Sequence, residues 1–262
     1  MEPETTDEAG YLSEIFTSVE GEGLWAGAPA VFVRLAGCNL ACSYCDTGYA
    51  RERPAQVTLH LDPDPGQGGA VEAAEAASPE ASSIPNPVAA DRVAKLVRGR
   101  PAATVVFTGG EPLVQADFVR AAGSRLRRLG YRVHLETNGT LPEGLARVRD
   151  AIDFISMDVK LPSSQGGRDL AAEHRAFLEG TRGKAAAVKI VVTADARSEE
   201  IVWAAHLVAG VDRWLPVFLQ PAFDGSRPTV DAGRMLEFLT LARRSLGDVR
   251  ISVQLHKVLG LL

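Results

Sequence analysis

The stretch Ala30-Val-Phe-Val-Arg-Leu-Ala-Gly-Cys38-Asn-Leu-Ala-Cys42-Ser-Tyr-Cys45 joins an apolar run to the three cysteines of this chain. The apolar, β-branched run predicts a buried strand over Ala30–Ala36. All three cysteines fall within eight residues, and the remaining sequence contains none. A secreted disulfide framework carries more cysteines, usually an even number spread along the chain. The triplet therefore predicts a metal or cluster site in a reducing compartment, directly after a strand.

The rest of the chain alternates short β-branched runs with amphipathic stretches, which is the pattern of repeated βα units. We predict strands at Ala30–Ala36, Thr104–Thr108, Arg132–Glu136, Phe154–Val159, Val188–Thr193 and Pro216–Leu219, with a short closing strand in Val249–Leu255. We predict helices at Val88–Arg98, Ala116–Leu129, Asp169–Glu179, Ser198–Ala209 and Asp231–Leu246. About six units are fewer than the eight of a complete barrel. The fold class we expect is α/β, an open and partial TIM-like barrel with ligands at the carboxyl ends of its strands.

Length and charge exclude several classes of protein. The 262 residues are enough for one large domain, and we expect a single domain over residues 1–262. A net charge of -5 argues against nucleic-acid binding, and the sequence contains no apolar run of membrane-spanning length. We therefore expect a cytoplasmic protein. Arg51–Pro87 is rich in Ala, Gly, Pro and Ser, so we predict a long surface loop inserted there, partly helical around Ala70–Ala77.

The cysteine spacing favours an iron–sulfur cluster. A 4Fe–4S cluster normally takes four thiolates, so Cys38, Cys42 and Cys45 would leave one iron free to chelate a small molecule. The alternative is structural zinc, for which Cys42-Ser-Tyr-Cys45 alone would be a weak signal. Structural zinc needs a fourth ligand, and the nearest histidine is His60, inside the predicted insertion.

A second motif, Thr108-Gly-Gly-Glu-Pro112, follows the predicted strand at Thr104–Thr108. Paired glycines let the backbone approach a ligand closely. This arrangement suits a charged amino-acid group, with Glu111 or a backbone carbonyl accepting from an ammonium. By itself the motif could also be a strand-to-helix turn with proline at the first helical position.

The two motifs together resemble the radical S-adenosylmethionine (SAM) superfamily, whose cysteine spacing and glycine-rich motif they match. A third stretch, Ile15-Phe-Thr-Ser-Val-Glu-Gly-Glu-Gly23, resembles the start of the 7-carboxy-7-deazaguanine synthases. The resemblance continues over nearly the whole chain outside Arg51–Pro87. The further matching segments are Cys45–Thr47, Leu135–Gly139, Ile155–Lys160, Leu219–Pro221 and Val253–Lys257.

The resemblance implies a lyase of queuosine and 7-deazapurine biosynthesis. Such an enzyme converts 6-carboxy-5,6,7,8-tetrahydropterin to 7-carboxy-7-deazaguanine by ring contraction with loss of ammonia. Its implied cofactors are a 4Fe–4S cluster, SAM and Mg²⁺. The cluster would cleave SAM to a radical that removes hydrogen from the substrate. A homodimer and an electron donor such as flavodoxin or ferredoxin are the implied partners, without nucleic acid or membrane.

The same resemblance assigns site residues by position. The implied cluster ligands are Cys38, Cys42 and Cys45, and the implied Mg²⁺ ligand is Thr47. The implied SAM contacts are Gly110, Glu111, Glu136, Asn138, Ser156, Lys160 and Gln220. The implied substrate contacts are Val19, Glu20, Gly21, Glu22, Arg34, Thr108, His256 and the terminal Leu262. The family commonly carries Gln where this chain has Glu20, and a compact Ser-Pro-Lys where it has Ser156-Met-Asp-Val-Lys160.

Two rival functions remain at this point. Another small radical enzyme, such as an activase of a glycyl-radical enzyme, would share the cysteines and Gly-Gly-Glu-Pro. It would not need Glu20–Gly23, Arg34 or the tail around His256. A zinc-binding module without enzymatic activity would contain zinc and no iron or labile sulfide.

Overall fold

Parallel strands form the centre of the computed structural model, which describes residues 8–60, 81–225 and 227–261. Its strands are β1 (Ala9–Gly10), β2 (Leu12–Val19), β3 (Pro29–Leu35), β4 (Gln56–Leu59), β5 (Ser82–Pro85), β6 (Val88–Ala89), β7 (Thr104–Gly109), β8 (Arg132–Thr137), β9 (Phe154–Asp158), β10 (Ala185–Val192), β11 (Val217–Pro221), β12 (Phe223–Asp224), β13 (Arg227–Pro228) and β14 (Val249–Ile251). Its α-helices are α1 (Ala90–Val97), α2 (Ala116–Arg128), α3 (Pro142–Val148), α4 (Ala171–Gly180), α5 (Ser198–Ala209), α6 (Ala232–Ala242) and α7 (Leu255–Leu259).

One large sheet has the strand order β14-β11-β10-β9-β8-β7-β3-β2-β4-β5. Every neighbouring pair from β3 to β14 is parallel, and a helix follows each strand from β7 to β11 before the next strand of this sheet begins. Within the described residues, β14 and β5 end the order and do not pair with each other. The predicted open α/β barrel of about six βα units is therefore confirmed.

The core lies between the sheet and the helices. Val105, Val106 and Phe107 of β7 are all fully buried, as expected for a central parallel strand covered on both faces. The amphipathic α2 buries Phe118 and Leu126 against it. This packing brings the carboxyl ends of the parallel strands together at one rim. None of the helices in the described ranges is long and apolar enough to cross a bilayer.

Two structural predictions were wrong in part. Leu12–Val19, for which we predicted no strand, forms β2 and pairs antiparallel with β3. The segment Arg51–Pro87, which we predicted as a surface loop, contains a strand near each end. The first, β4, pairs with β2, and the second, β5, pairs with β4. Val57 of β4 and Ile84 of β5 are buried in the core. The mostly polar residues around them gave no sign of these two strands in the sequence. The segment around Ala70–Ala77 lies outside the described residues.

The C-terminal prediction also needs correction. Only Val249–Ile251 of the predicted Val249–Leu255 strand pairs with the sheet. The chain then leaves the sheet and forms α7. Sequence reasoning also missed α3, a seven-residue helix that opens with Pro142.

Candidate active site

A single cavity at the carboxyl rim of the sheet collects nearly all the predicted site residues. The predicted residues that line it are Val19, Gly21, Glu22, Arg34, Cys38, Cys42, Cys45, Thr47, Thr108, Gly110, Glu136, Asn138, Ser156, Lys160, Gln220 and His256. Glu20 and Glu111 do not line it, and Leu262 lies outside the described residues. The rim position follows from the topology, since parallel strands end at the same edge.

The three cysteines are free thiols that line this cavity together. A turn in which the Cys45 amide donates to the Cys42 carbonyl (3.2 Å) wraps the loop around the cavity. Burial raises the pKa of the Cys38 thiol, and the nearby Glu111 and Cys42 charges raise it further. Three unpaired thiols facing one cavity are a donor set that fits a 4Fe–4S cluster with one open iron.

The alternative of structural zinc requires a fourth ligand in addition to the three cysteines. His60, the candidate fourth ligand, instead contacts Glu14 through Nε2 at 2.9 Å.

The paired glycines at the end of β7 allow close packing of the backbone. A Cβ at Gly110 would lie 2.2 Å from the carbonyl oxygen of Gly37, in the residue just before Cys38. Gly109 has a φ of 127°, and a Cβ there would lie 2.2 Å from the Leu35 carbonyl oxygen. The glycines therefore let this turn pack directly against the start of the cysteine loop. Gly110 also lines the cavity, as predicted.

The predicted role of the Glu111 carboxylate is not supported by its geometry. Glu111 is fully buried, and its oxygens accept from the Leu113 amide (3.0 Å), the Thr137 hydroxyl (2.8 Å) and the Asn138 amide (2.7 Å). Burial raises the pKa of Glu111 to about 7 despite these donors. The side chain therefore ties the β7 turn to the end of β8, and the Glu111 amide donates to the Gly37 carbonyl (2.8 Å), so the residue supports the cysteine loop from behind.

Alternate residues at the end of β9 face the cavity. Ser156, Asp158 and Lys160 all line it, so the longer Ser-Met-Asp-Val-Lys segment presents Ser156 and Lys160 on one side. Lys160 Nζ contacts Asp158 Oδ2 (2.6 Å) and the Tyr44 hydroxyl (3.0 Å). Burial alone would lower the pKa of Lys160, but the Asp158 charge raises it well above its usual value.

Lys189 on β10 is a site residue that sequence reasoning missed. It forms an ion pair with Glu22 and lies 3.4 Å from Asp158. Asp158 thus lies between the buried Lys160 and the partly buried Lys189. Burial opposes the charge of Lys189, yet Asp158 and Glu22 raise its pKa above the usual range. A lysine within the apolar strand Ala185–Val192 was the available signal.

Glu22 accepts from three side chains that belong to distant elements. Besides Lys189, the Gln220 amide (2.9 Å) and the Gln254 amide (2.8 Å) donate to it. Burial would raise the pKa of Glu22, but Lys189 lowers it, so this carboxyl is held ionised. Gln220 Oε1 is buried without a hydrogen-bond partner in the described part of the chain. Gln254 was not predicted as a site residue.

The Arg34 side chain is held in place by contacts with Glu14 and Phe16, which together with Tyr49 we call the Arg34 bracket. Its Nε donates to Glu14 (2.6 Å), which also accepts from the Tyr49 hydroxyl (2.7 Å). The guanidinium lies over the Phe16 ring, 5.4 Å from its centroid. Burial would raise the pKa of Glu14, but hydrogen bonding from His60 and the Arg34 charge lower it to about 2.

The predicted Mg²⁺ ligand Thr47 and the predicted substrate contact His256 both line the cavity. Thr47 Oγ1 is 4.0 Å from the Cys45 sulfur. His256, in α7, packs on Gly21, where an added Cβ would lie 1.9 Å from its Nδ1. Burial lowers the pKa of His256. The C-terminal helix is thereby joined to the end of β2, and the Leu255 amide also donates to the Gly21 carbonyl (2.9 Å).

Glu20 lies behind the cavity wall. It is 1% exposed, and its carboxylate pairs with Nδ1 of the buried His134 at 2.6 Å. The predicted substrate contact through this carboxylate is therefore not supported, because the side chain points away from the cavity toward β8.

This chain is similar to known proteins in both sequence and fold. Residues 33–191 match the Radical SAM superfamily. The chain is 39% identical over 256 residues to the 7-carboxy-7-deazaguanine synthase of Geobacter sulfurreducens, covering 95% of this chain and 96% of that one. It is 31% identical over 254 residues to the enzyme of the same name from Methanopyrus kandleri, covering 94% and 91%. The crystal structure of QueE from Escherichia coli has the same fold, with a TM-score of 0.59 at 21% identity and 94% of each chain covered.

The open barrel, the cysteine-lined cavity and the match over residues 33–191 define a radical SAM enzyme, a class that uses a 4Fe–4S cluster and SAM. Within that superfamily, the chain belongs to the 7-carboxy-7-deazaguanine synthase family.

Proposed function

We propose that this chain converts 6-carboxy-5,6,7,8-tetrahydropterin to 7-carboxy-7-deazaguanine, with loss of ammonia, in queuosine or 7-deazapurine biosynthesis. The names of its relatives identify the product. The observation that carries the proposal is that Glu22, Arg34 and His256 line the same cavity as the three free thiols. A radical reaction needs this proximity, because the reacting atoms must be held together and shielded from competing partners.

The residues of the chain divide the work of binding. Arg34 offers a guanidinium fork to the substrate carboxylate or a ring carbonyl, and Glu22 offers an acceptor to the amino-pyrimidine edge. His256 closes the cavity from the C-terminal side. The aromatic rings of Phe16, Phe32, Phe218 and Phe223 line the remaining wall and exclude water.

The cofactors complete the site. Cys38, Cys42 and Cys45 hold the cluster, while Gly110, Glu136, Asn138, Ser156, Lys160 and Gln220 hold SAM. When bound, the cluster and SAM supply the one-electron cleavage that starts the reaction. The chain itself orients the substrate and keeps its buried charges paired.

Several finer features belong to the same proposal and rest on the family resemblance. Thr47, which lines the cavity, would hold Mg²⁺, an ion that prefers oxygen ligands. The enzyme is a cytoplasmic homodimer that takes electrons from a flavodoxin or ferredoxin. A Mg²⁺ titration of the wild type and of Thr47→Ala tests the metal site. Light scattering after size exclusion tests whether the enzyme is a homodimer.

The decisive experiment is anaerobic. The protein is reconstituted with iron and sulfide, then mixed with dithionite, Mg²⁺ and SAM, with and without 6-carboxytetrahydropterin. We expect 7-carboxy-7-deazaguanine and 5′-deoxyadenosine with the wild type. Cys42→Ala should yield neither, whereas His206→Asn, on the outer face of α5, should match the wild type.

Each outcome separates the alternatives. Deoxyadenosine without the deazaguanine product would retain the radical chemistry and reject this substrate. Copurifying zinc, with no iron bound after reconstitution, would reject both.

A further inference from the structure

Three side chains behind the cavity wall form a continuous hydrogen-bonded chain. Glu20 Oε1 lies 2.6 Å from His134 Nδ1, and His134 Nε2 lies 2.8 Å from the Ser156 hydroxyl. Glu20 follows β2, His134 is in β8, and Ser156 is in β9, where it lines the cavity. The chain therefore runs from a buried carboxylate to a hydroxyl that can meet a ligand.

The buried end of this chain is rigid and dry. The side chains of Glu20 and His134 are only 2% and 1% exposed. The Glu20 backbone is fixed on both sides, donating to the Ala28 carbonyl (2.7 Å) and accepting from the Gly27 amide (2.8 Å). Trp25 covers the His134 ring, with 5.0 Å between the ring centroids. Glu20 Oε2 is also buried and has no hydrogen-bond partner among the described residues, a costly arrangement for purely structural packing.

One arrangement of protons in this chain takes the Glu20 side chain as the hydrogen-bond acceptor. A carboxylate accepts, so His134 donates through Nδ1–H and its Nε2 carries a lone pair. The Ser156 hydroxyl then donates to Nε2, which leaves its oxygen lone pairs for the cavity. Glu136 pairs in register with Ser156 and also lines the cavity. The wall thus presents the Ser156 hydroxyl next to the Glu136 carboxyl group.

We propose that Glu20 and His134 are positioning residues that hold Ser156 as a hydrogen-bond acceptor for an N–H or O–H group of a bound ligand. The inference deepens the proposed function and rests on it for the identity of that ligand, which we take to be SAM. The same logic orients the histidine of a hydrolytic triad, where a carboxylate selects the imidazole tautomer. Here the hydroxyl binds and does not attack.

The first test reads the tautomer directly, without turnover. The reconstituted, unreduced enzyme is prepared with ¹⁵N-labelled histidine, and the His134 signals are assigned by their loss in His134→Asn. We expect the ring to carry hydrogen on Nδ1 and none on Nε2 at neutral pH. A ring protonated on Nε2, alone or together with Nδ1, would overturn the proposal.

The second test asks whether His134 acts through Ser156. The dissociation constant of SAM is measured for Ser156→Ala, His134→Asn and the double variant, with His206→Asn as the surface control. Each single variant should bind SAM about 5- to 10-fold more weakly than the wild type. The double variant should bind SAM no more weakly than either single variant. His134→Gln, whose amide oxygen reaches the position of Nε2, should bind more tightly than His134→Asn.

The outcomes are distinguishable from failure of the proposed function. Multiplicative losses in the double variant, or unchanged binding in Ser156→Ala, would refute the positioning role even if the wild type forms the expected product. A wild type that binds SAM but does not convert the pterin would reject the substrate and leave the tautomer result standing.

Discussion

Arg34 and Lys189 are single charged residues within otherwise apolar strands, and each is neutralised by a carboxylate from another strand or loop. Arg34 is paired with Glu14, and Lys189 with Glu22 and Asp158. Buried charges of this kind are tolerated only when they are paired, so each carboxylate is as important to the site as the cation that it holds.

Glu14 provides a pH-dependent prediction. Because its pKa is lowered to about 2 from an ordinary 4.5, it stabilises the fold fully above pH 4.5, and this contribution is lost as the pH falls through about 2. Glu14→Gln should therefore lower the free energy of unfolding by about 3 kcal/mol near neutral pH. The difference from wild type should shrink to about half by pH 3. Urea unfolding followed by tryptophan fluorescence measures it.

The exposed Glu237, which pairs with Arg234 on the surface of α6, supplies the matched control. Glu237→Gln should change the stability little at any pH, since exposed pairs contribute little. A Glu14→Gln difference that stays constant from pH 6 to pH 3 would contradict the assignment.

Asp158 provides a second prediction at this scale. Asp158→Asn leaves the buried Lys160 and the partly buried Lys189 facing a neutral amide, so we expect a loss of about 3 kcal/mol in stability and a large loss of turnover. Denaturant unfolding and product formation measure the two effects. Asp117→Asn, which removes exposed pairs with Arg120 and Arg147, should cost less than about 1 kcal/mol. Equal losses of stability in the two variants would show that the ion pairs of Asp158 stabilise the fold no more than exposed ion pairs do.

At the scale of elements, the insertion is tied to the site more closely than its composition suggests. β4 and β5 pair in register from Gln56 with Pro85 to Leu59 with Ser82, and so extend the main sheet. His60, directly after β4, contacts Glu14 and thereby the Arg34 bracket. The ends of the insertion support the site, and Leu59 and Ser82 are already adjacent.

The adjacent strand ends predict that residues 61–80 can be replaced. Substituting two residues such as Asn-Gly for them would join β4 and β5 by a short hairpin loop, at little cost in closure entropy. We expect a melting temperature within a few degrees of wild type and unchanged turnover.

A second variant, which combines this replacement with His60→Ala, should have a higher KM for the pterin. Loss of the contact between His60 and Glu14 loosens the Arg34 bracket. Loss of turnover in the first variant, with folding retained, would show instead that residues 61–80 take part in the reaction.

At the scale of the whole molecule, segments far apart in sequence close the cavity. The end of β2 and the C-terminal helix α7 meet at Gly21 and His256, and Gln254 bridges Glu22 to Asp46. No residue of α7 is buried in the core, so the helix contributes to the site far more than to stability.

This arrangement predicts the effect of truncation. A chain ending at Gln254 keeps the sheet and the bridge to Glu22 but loses His256. We expect its melting temperature to change by only a few degrees, while the KM for the pterin rises about 10-fold or more. His256→Asn should reproduce most of the KM effect. A truncated enzyme with an unchanged KM would remove α7 from the binding site.

Features that depend on short-range patterns could be predicted from the amino-acid sequence alone. Spacing within eight residues identified the cysteine triplet, and alternating β-branched and amphipathic runs identified the repeated βα units. Position after a strand predicted which residues would meet at the rim, because parallel strands end together. The ends of the insertion escaped this reasoning, since short strands such as β4 are stabilised by their neighbours rather than by their composition.

The pairing of the charged side chains, by contrast, depends on the three-dimensional fold. Glu20 meets His134 across 114 positions, and Lys189 meets Glu22 across 167. No local pattern encodes such pairs, because they arise when the sheet brings separate strands side by side. For the same reason Glu20 and Glu111, which sequence position placed against ligands, turned out to face other parts of the protein. In a buried site each charge takes the partner that folding places within reach, and that partner decides whether the group meets a ligand or supports the wall behind it.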